Sequence, residues 1–191
     1  VLFETVIKNI TRGAQIKASV LDEIVSDKPT NMQYLMLANL QDGIISDELP
    51  YLKGIDSKYE KYCIKNGSLV ISKNASPVKM AIASVQEGNK ILANGNLYVI
   101  ELDEDKINPY FLKAYLESEN GKAALSRVAV GATLLNLPVE GLKKVIIPLP
   151  DLESQKKIAD QYYAKLSEIK ELKYKLEKAT EELEHIYTEE K

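Results

Sequence analysis

Cysteine and histidine are almost absent: Cys63 and His185 each stand alone. A single cysteine excludes an internal disulfide, and with one histidine it excludes a zinc site built from several Cys and His ligands. No apolar run is long enough to cross a bilayer and no secretory-signal pattern is visible, so a soluble cytoplasmic protein without membrane association is expected. The first residue is Val1 instead of Met, which fits a processed or excised chain. An excess of charge of one sign is missing too. Of the 25 basic and 28 acidic residues, 17 of each fall at or before Pro150, leaving 8 basic and 11 acidic after it. A neutral body of that kind does not announce nucleic-acid binding; any DNA-facing surface requires lysine and arginine to be sorted onto one side. There is no Gly-rich loop suited to a nucleotide-like cofactor, no internal repeat and no low-complexity tract.

Glycine and proline are also lacking after Gln155, and there the absence is informative. Pro148 and Pro150 end a strand-like run, Asp151 is placed as an N-cap, and Glu153 falls in the positive first turn of a helix. Apolar residues then recur at Ile169, Leu172, Leu176, Ala179, Leu183 and Ile186, in alternating steps of three and four with Lys and Glu between. This is a coiled-coil seam, and a helix carrying it needs a partner helix. Upstream, Ile158, Tyr162 and Leu166 step by four, so the stripe drifts and is expected to pack on the protein body before the seam begins. The organisation predicted is a body over 1–150 and a long spacer or dimerisation helix over 151–191.

Within the body, strand-like runs at 34–38, 68–72, 79–85 and 97–102 alternate with turn clusters at 39–43, 65–67 and 87–89, where Asn, Asp and Gly tolerate reversals. Asn108 and Pro109 read as the N-cap and first residue of a helix with Phe111, Leu112, Tyr115 and Leu116 on its apolar face, ending near Asn120 and Gly121. A second short helix is expected over 121–130, a break at Gly131, a turn over 138–142 and a last strand over 143–147. The fold class is α+β, mixed and mainly β in its middle, with short helices and one long C-terminal helix.

Several residues invite a chemical role and are explained more simply. Asn108-Pro109-Tyr110-Phe111 looks like a clipped form of the motif with which amino-methyltransferases hold a flipped base, but its second proline is absent and a helix start accounts for every residue. Asp151 with Glu171 and Lys173 mimics a metal-dependent nuclease set, yet those acids normally sit on neighbouring strands, and here they lie on one helix. His185 has no second ligand nearby in sequence, 103–105 reads as a solvated acidic turn, and Cys63 as a small apolar residue. No catalytic residue, metal or cofactor is expected.

The order of the pieces resembles one half of the specificity subunit of type I restriction-modification systems. The resemblance rests on Arg12-Gly13, the segments 34–45 and 65–72, the run 107–118, the Gly131-Ala132-Thr133 turn, the run 142–150, and the helix start at 152–155 with Ile158. Ser154 stands where the family usually has Glu, and 73–77 lacks the glycine typical of that turn. Full specificity subunits resemble two such halves in tandem.

The resemblance implies a non-catalytic target recognition domain for double-stranded DNA. DNA methyltransferase subunits that modify adenine would dock on it, and a restriction or translocase subunit would join in cleavage. DNA-facing candidates are Arg12, Gln15 and Lys17; Lys73, Asn74, Ser76 and Lys79; and Arg127, Thr133 and Asn136, chosen because loops supply both base-reading side chains and phosphate-binding cations. A homodimer through antiparallel C-terminal helices is expected. Three other readings are kept: a specificity domain excised from a fused methyltransferase or restriction enzyme, a catalytic methyltransferase fragment, which cofactor binding would reveal, and a coiled-coil adaptor that binds only protein.

Overall fold

Residues 69–71 are Leu-Val-Ile, a continuous apolar run of the kind a strand carries when both of its faces are covered. The computed structural model describes residues 1–187 and places that run at the centre of the body. Along the chain come β1 (Ile7–Arg12), α1 (Ala18–Ile24), β2 (Val25–Ser26), β3 (Met32–Leu35), the short hairpin β4 (Leu40–Gln41) and β5 (Ile44–Ile45), then β6 (Tyr51–Leu52). They are followed by β7 (Leu69–Ser72), β8 (Met80–Ile82), β9 (Lys90–Ala93), β10 (Leu97–Leu102), α2 (Pro109–Glu117), α3 (Glu119–Val128), α4 (Val139–Lys143) and α5 (Leu152–His185).

One antiparallel sheet has the order β1-β10-β7-β8, and a second has the order β2-β6-β3-β9 with β3 and β9 parallel. Alternation along the strands divides the core. Leu69, Ile71, Tyr98 and Ile100 point to the helices and pack with Phe111, Leu112, Leu116, Leu125 and Ala159. Val70, Leu97 and Val99 point the other way and pack with Leu35, Leu40, Ile91 and Ala93 near the second sheet. Behind that sheet lies a third cluster of Met32, Tyr34, Leu52 and Leu92, against which Leu21, Ile24 and the half-buried Cys63 pack. Burial raises the Cys63 thiol pKa, which suits an inert packing residue.

The long helix starts as its capping residues dictate, with Asp151 Oδ1 accepting from Ser154 N at 2.9 Å. The last four residues of the expected 151–191 helix lie outside the described residues. Its packing face differs from the expected one. Ile158 is exposed, while Gln155 and Ala159 are buried and Tyr162 and Leu166 are half-buried, because the small Ala159 lets α2 approach closely and one residue turns the helix by about 100°. Gln155 anchors the base: its Oε1 accepts from Asn108 N at 2.8 Å, and its Nε2 donates to Lys106 O at 3.0 Å and Pro150 O at 2.8 Å.

Other boundaries move for identifiable reasons. The strand expected at 34–38 ends at Leu35 because 37–39 forms a 3-10 turn in which Asn39 Oδ1 accepts from Met36 N. The 79–85 run is a strand only over Met80–Ile82, with backbone hydrogen bonds continuing at Lys79 and Ala83. The second helix runs over Glu119–Val128, started by Ser118, whose hydroxyl accepts from Gly121 N. At 138–142 the expected turn is the helix α4, with Pro138 as its N-cap residue. The expected strand at 143–147 is divided: Lys143 ends α4, Lys144 keeps helical backbone, and 145–147 is extended chain held by the N-terminus through Phe3 N to Val145 O and Ile147 N to Val1 O, with a single bridge between Leu2 and Ile146.

Tyr34, Tyr98, Tyr110 and Tyr162 have phenol pKa values raised above the usual range, by burial first in each case. A raised folded pKa stabilises the protonated phenol, so this stability is complete below about pH 10 and is lost as unfolded phenols ionise above it. Lys113 acts in the opposite sense, since burial lowers its pKa, but that gain is complete once an unfolded lysine titrates near about 10.4. Urea midpoints should therefore fall above about pH 10; midpoints constant to pH 11 would contradict the burial of these phenols.

Candidate nucleic-acid interface

Four loops meet at one end of the first sheet, where β1 and β7 finish and β8 and β10 begin. They are 12–17, 73–79, 94–96 and 130–136. Backbone hydrogen bonds join them: Gly13 N donates to Leu97 O at 2.9 Å, Lys73 N to Asn96 O at 2.8 Å, Leu137 N to Lys73 O at 2.9 Å, and Ala75 N to Leu135 O at 3.2 Å. Asn74 and Asn136 form a bridge, and Val130 pairs with Asn136 to close the last loop. Gly13 is required where it stands, since a Cβ there would lie 2.1 Å from Asn94 O. These loops hold 23 residues with four lysines or arginines and no aspartate or glutamate, where the chain-wide acidic content would put about three carboxylates. The sorting of charge that a neutral body requires is therefore present at this edge.

The three groups of sequence-predicted residues are brought together here. Arg12 ends β1 exposed, and its Nε donates to Gly95 O at 2.7 Å. Gln15, with its amide oxygen turned toward the guanidinium, accepts from both Arg12 Nη atoms. Lys17 is exposed at the start of α1. Lys73, Asn74 and Lys79 are half-buried, Ser76 is exposed, and Ser72 Oγ accepts from Lys79 N at 2.9 Å. Arg127 is exposed in the last turn of α3, which feeds the loop carrying exposed Thr133. Among the described residues, none of Arg12, Lys17, Lys73, Lys79 and Arg127 is ion-paired with a carboxylate, whereas many other lysines are. Asn136 pins its loop through the backbone, and its Oδ1 is buried with no hydrogen-bond partner among the described residues.

The residues that invited catalytic readings do other work. Asn108 Oδ1 accepts from Tyr110 N at 2.9 Å and Phe111 N at 3.3 Å, so its carboxamide oxygen is spent on the helix start. Asp151 and Glu171 stand 20 residues apart on α5, about 30 Å at 1.5 Å per residue. Lys173 pairs with Asp42, and Asp103 pairs with Lys8 and Lys106. No group of three His, Cys, Asp or Glu able to hold a metal occurs among the described residues.

Comparison with known proteins decides the family. The family model described as "Type I restriction modification DNA specificity domain" matches residues 23–182, well over half of the chain. The chain belongs to that family. It is a DNA specificity domain of the type I restriction-modification class. No curated protein matches it in sequence.

Solved structures share the fold of this specificity domain. A chain from a structure addressing complex assembly and conformational transition of the type I R-M system is 19% identical with a TM-score of 0.64, over 97% of this chain and 42% of that one. The HsdS subunit from Thermoanaerobacter tengcongensis is 20% identical with a TM-score of 0.57, over 90% of this chain and 38% of its own. The S subunit from M. genitalium is 13% identical with a TM-score of 0.55, over 84% and 37%. This chain thus spans less than half the length of the structures it matches.

Two contributors to the site escaped sequence reasoning. The 94–96 turn holds Arg12 and Lys73 in place, and Asn94-Gly95 is a turn dipeptide that would have marked it had β9 been recognised as a strand. Gln155, which locks the specificity domain to its helix, carries no composition or periodicity signal: it is a polar residue buried among backbone groups.

Proposed function

We propose that this domain reads one half of a two-part DNA target through its four-loop edge, and that two copies act together through α5. The observation that carries the proposal is the acid-free loop cluster, whose unpaired cations suit phosphates and whose Asn, Gln, Ser and Thr side chains suit base edges. In this reading residues 1–150 form the recognition body and 151–191 the spacer and dimerisation helix. Ile158, left exposed by the body, lies in register with the seam of Ile169, Leu172, Leu176, Ala179, Leu183 and Ile186, with Tyr162 and Lys165 at the two seam positions between it and Ile169. Ile158 and Ile186 lie equally far on either side of Leu172, so an antiparallel pair with its two-fold axis beside Leu172 would set each against the other. The helix bases at Ala159 then stand roughly 40 Å apart, 26 residues at 1.5 Å, close to one turn of DNA.

The chain itself performs no chemistry in this account. Methyltransferase subunits that modify adenine dock on the dimer in the cytoplasm, and a translocase-nuclease subunit joins them in restriction, as in the family at large. Two measurements test the proposal. Selection from random duplexes by the purified chain should enrich a defined motif, and recovery of no motif would count against DNA reading. Titration calorimetry with S-adenosylmethionine should give no heat of stoichiometric binding; a one-to-one isotherm would show that the chain carries a cofactor site and overturn its purely recognising role.

A further inference from the structure

A partly buried ionic cluster lies where α2, α5 and the β4–β5 hairpin converge, away from the loop edge. Lys113 is fully buried, an unusual place for an ammonium. Its Nζ donates to Glu117 Oε1 at 2.8 Å and to Tyr162 OH at 2.6 Å, and sits 5.0 Å from the centre of the Tyr162 ring. The Tyr162 hydroxyl donates to the second Glu117 oxygen, so three side chains from two helices close a ring of hydrogen bonds. The hairpin tip caps it: a Cβ on Gly43 would stand 2.6 Å from Lys113 Nζ and 3.1 Å from Glu117 Oε1. Gly43 has φ of 74° and Asp42 has φ of 52°, the tight reversal that lets bare backbone reach the ammonium. From the same hairpin region, Asp42 pairs with Lys173, and Asp47 with Lys170 at 3.0 Å.

We infer that Lys113, Glu117 and Tyr162 form a clasp that fixes the angle between recognition body and spacer helix, and so act as positioning residues for the spacing between half-sites. The inference rests on the dimeric reading above. Without the clasp, α5 keeps its buried base at Gln155 and Ala159 and, beyond it, only partly exposed contacts, namely the Tyr110–Tyr163 ring pair, Leu166 and the two hairpin ion pairs, so the base is the firmest point and acts as a pivot. From Ala159 to the axis at Leu172 is about 20 Å, so a 10° tilt displaces each body by about 3.5 Å and the pair by about 7 Å. At 3.4 Å per base step that is about two base pairs of spacer. An ion pair whose ammonium is fully buried is suited to this task because it adds little net stability while penalising arrangements that leave that charge unpaired.

The test uses Lys113→Met, which removes the charge but keeps the volume, and the surface double variant Asp42→Asn with Asp47→Asn, which removes only the two outer ion pairs. Spin labels at Lys122→Cys and Glu182→Cys, in a Cys63→Ser chain diluted with unlabelled protein, report the body-to-helix distance without DNA. Duplex selection reports the spacer. The unsubstituted chain should give a narrow distance distribution and one spacer length. Lys113→Met should broaden the distances and accept spacers differing by up to about two base pairs, with unchanged half-site bases; the double variant should do the same to a smaller degree. Folded Lys113→Met with the original distance width and a single spacer overturns the clasp, and if that variant does not fold, Tyr162→Phe with the original width and spacer does so. Selection of no two-part site by the unsubstituted chain instead rejects the dimeric reading, and the distance measurement still decides the clasp.

Discussion

Leu176→Glu with Leu183→Glu yields a folded monomer whose affinity for a two-part duplex falls by roughly 10²–10⁴-fold, the range expected when a linked second binding event is lost. Both leucines are exposed on the isolated chain, so the body loses no packing. In the proposed antiparallel pair each would be buried, Leu176 beside the second copy's Ile169. Four leucines per dimer at about 1.5 kcal/mol each give about 6 kcal/mol, and every 1.4 kcal/mol is a tenfold change in dissociation constant. Desolvating the introduced carboxylates adds to that cost. Sedimentation at tens of micromolar, a concentration that detects weak assemblies, should show dimers for the unsubstituted chain and monomers for the variant. An unsubstituted monomer, or a variant that remains dimeric, would remove the seam from the account.

Replacing Arg12, Lys73, Lys79 and Arg127 together with Ala produces the second large effect. Each phosphate contact releases counterions, so log K falls with log salt by about 0.9 per contact on duplex DNA, and each lost cation takes about that much slope with it. Four cations on each of two bodies correspond to a decrease of up to about 7 units, with a collapse of affinity at low salt. Because phosphates carry no sequence information, weakening should be similar across sequences, whereas Asn74→Ala or Gln15→Ala should alter preference at particular bases. Arg12 needs a separate reading, since its Nε also ties 94–96 in place and its loss should loosen that turn. DNA affinity unchanged by all four substitutions would reject this edge as the binding surface.

Much of this was legible in the sequence, and the pattern of success is physical. Local signals acted where local chemistry decides: Asn108 and Pro109 start α2, Asp151 caps α5, and Gly67 and Gly88 take the positive φ their turns demand. The strand at 97–102 was found because six apolar-rich residues lie between clear breakers. Failures occur where distant chain decides. At 143–147 the first two residues finish α4 and the extended remainder is held by the N-terminus with too few paired residues to make a strand, and Ile158 is exposed where the stripe predicts packing because periodicity does not say which edge of the stripe is covered. The candidate site followed the same division. Loops rich in cations and amides could be named one by one, but their convergence depends on hydrogen bonds between residues more than 20 apart in sequence, such as Lys73 N to Asn96 O. The acid-free character of the assembled edge therefore became visible only once the loops were placed together.

A two-fold pair of identical bodies must read identical half-sites in opposite directions, so symmetry of the protein becomes symmetry of the target. Methylation mapping in the source cell measures that symmetry directly. The account predicts an interrupted inverted repeat whose halves are separated by on the order of one DNA turn. An asymmetric two-part motif, with unrelated halves, would contradict the homodimer and require a second, different recognition domain.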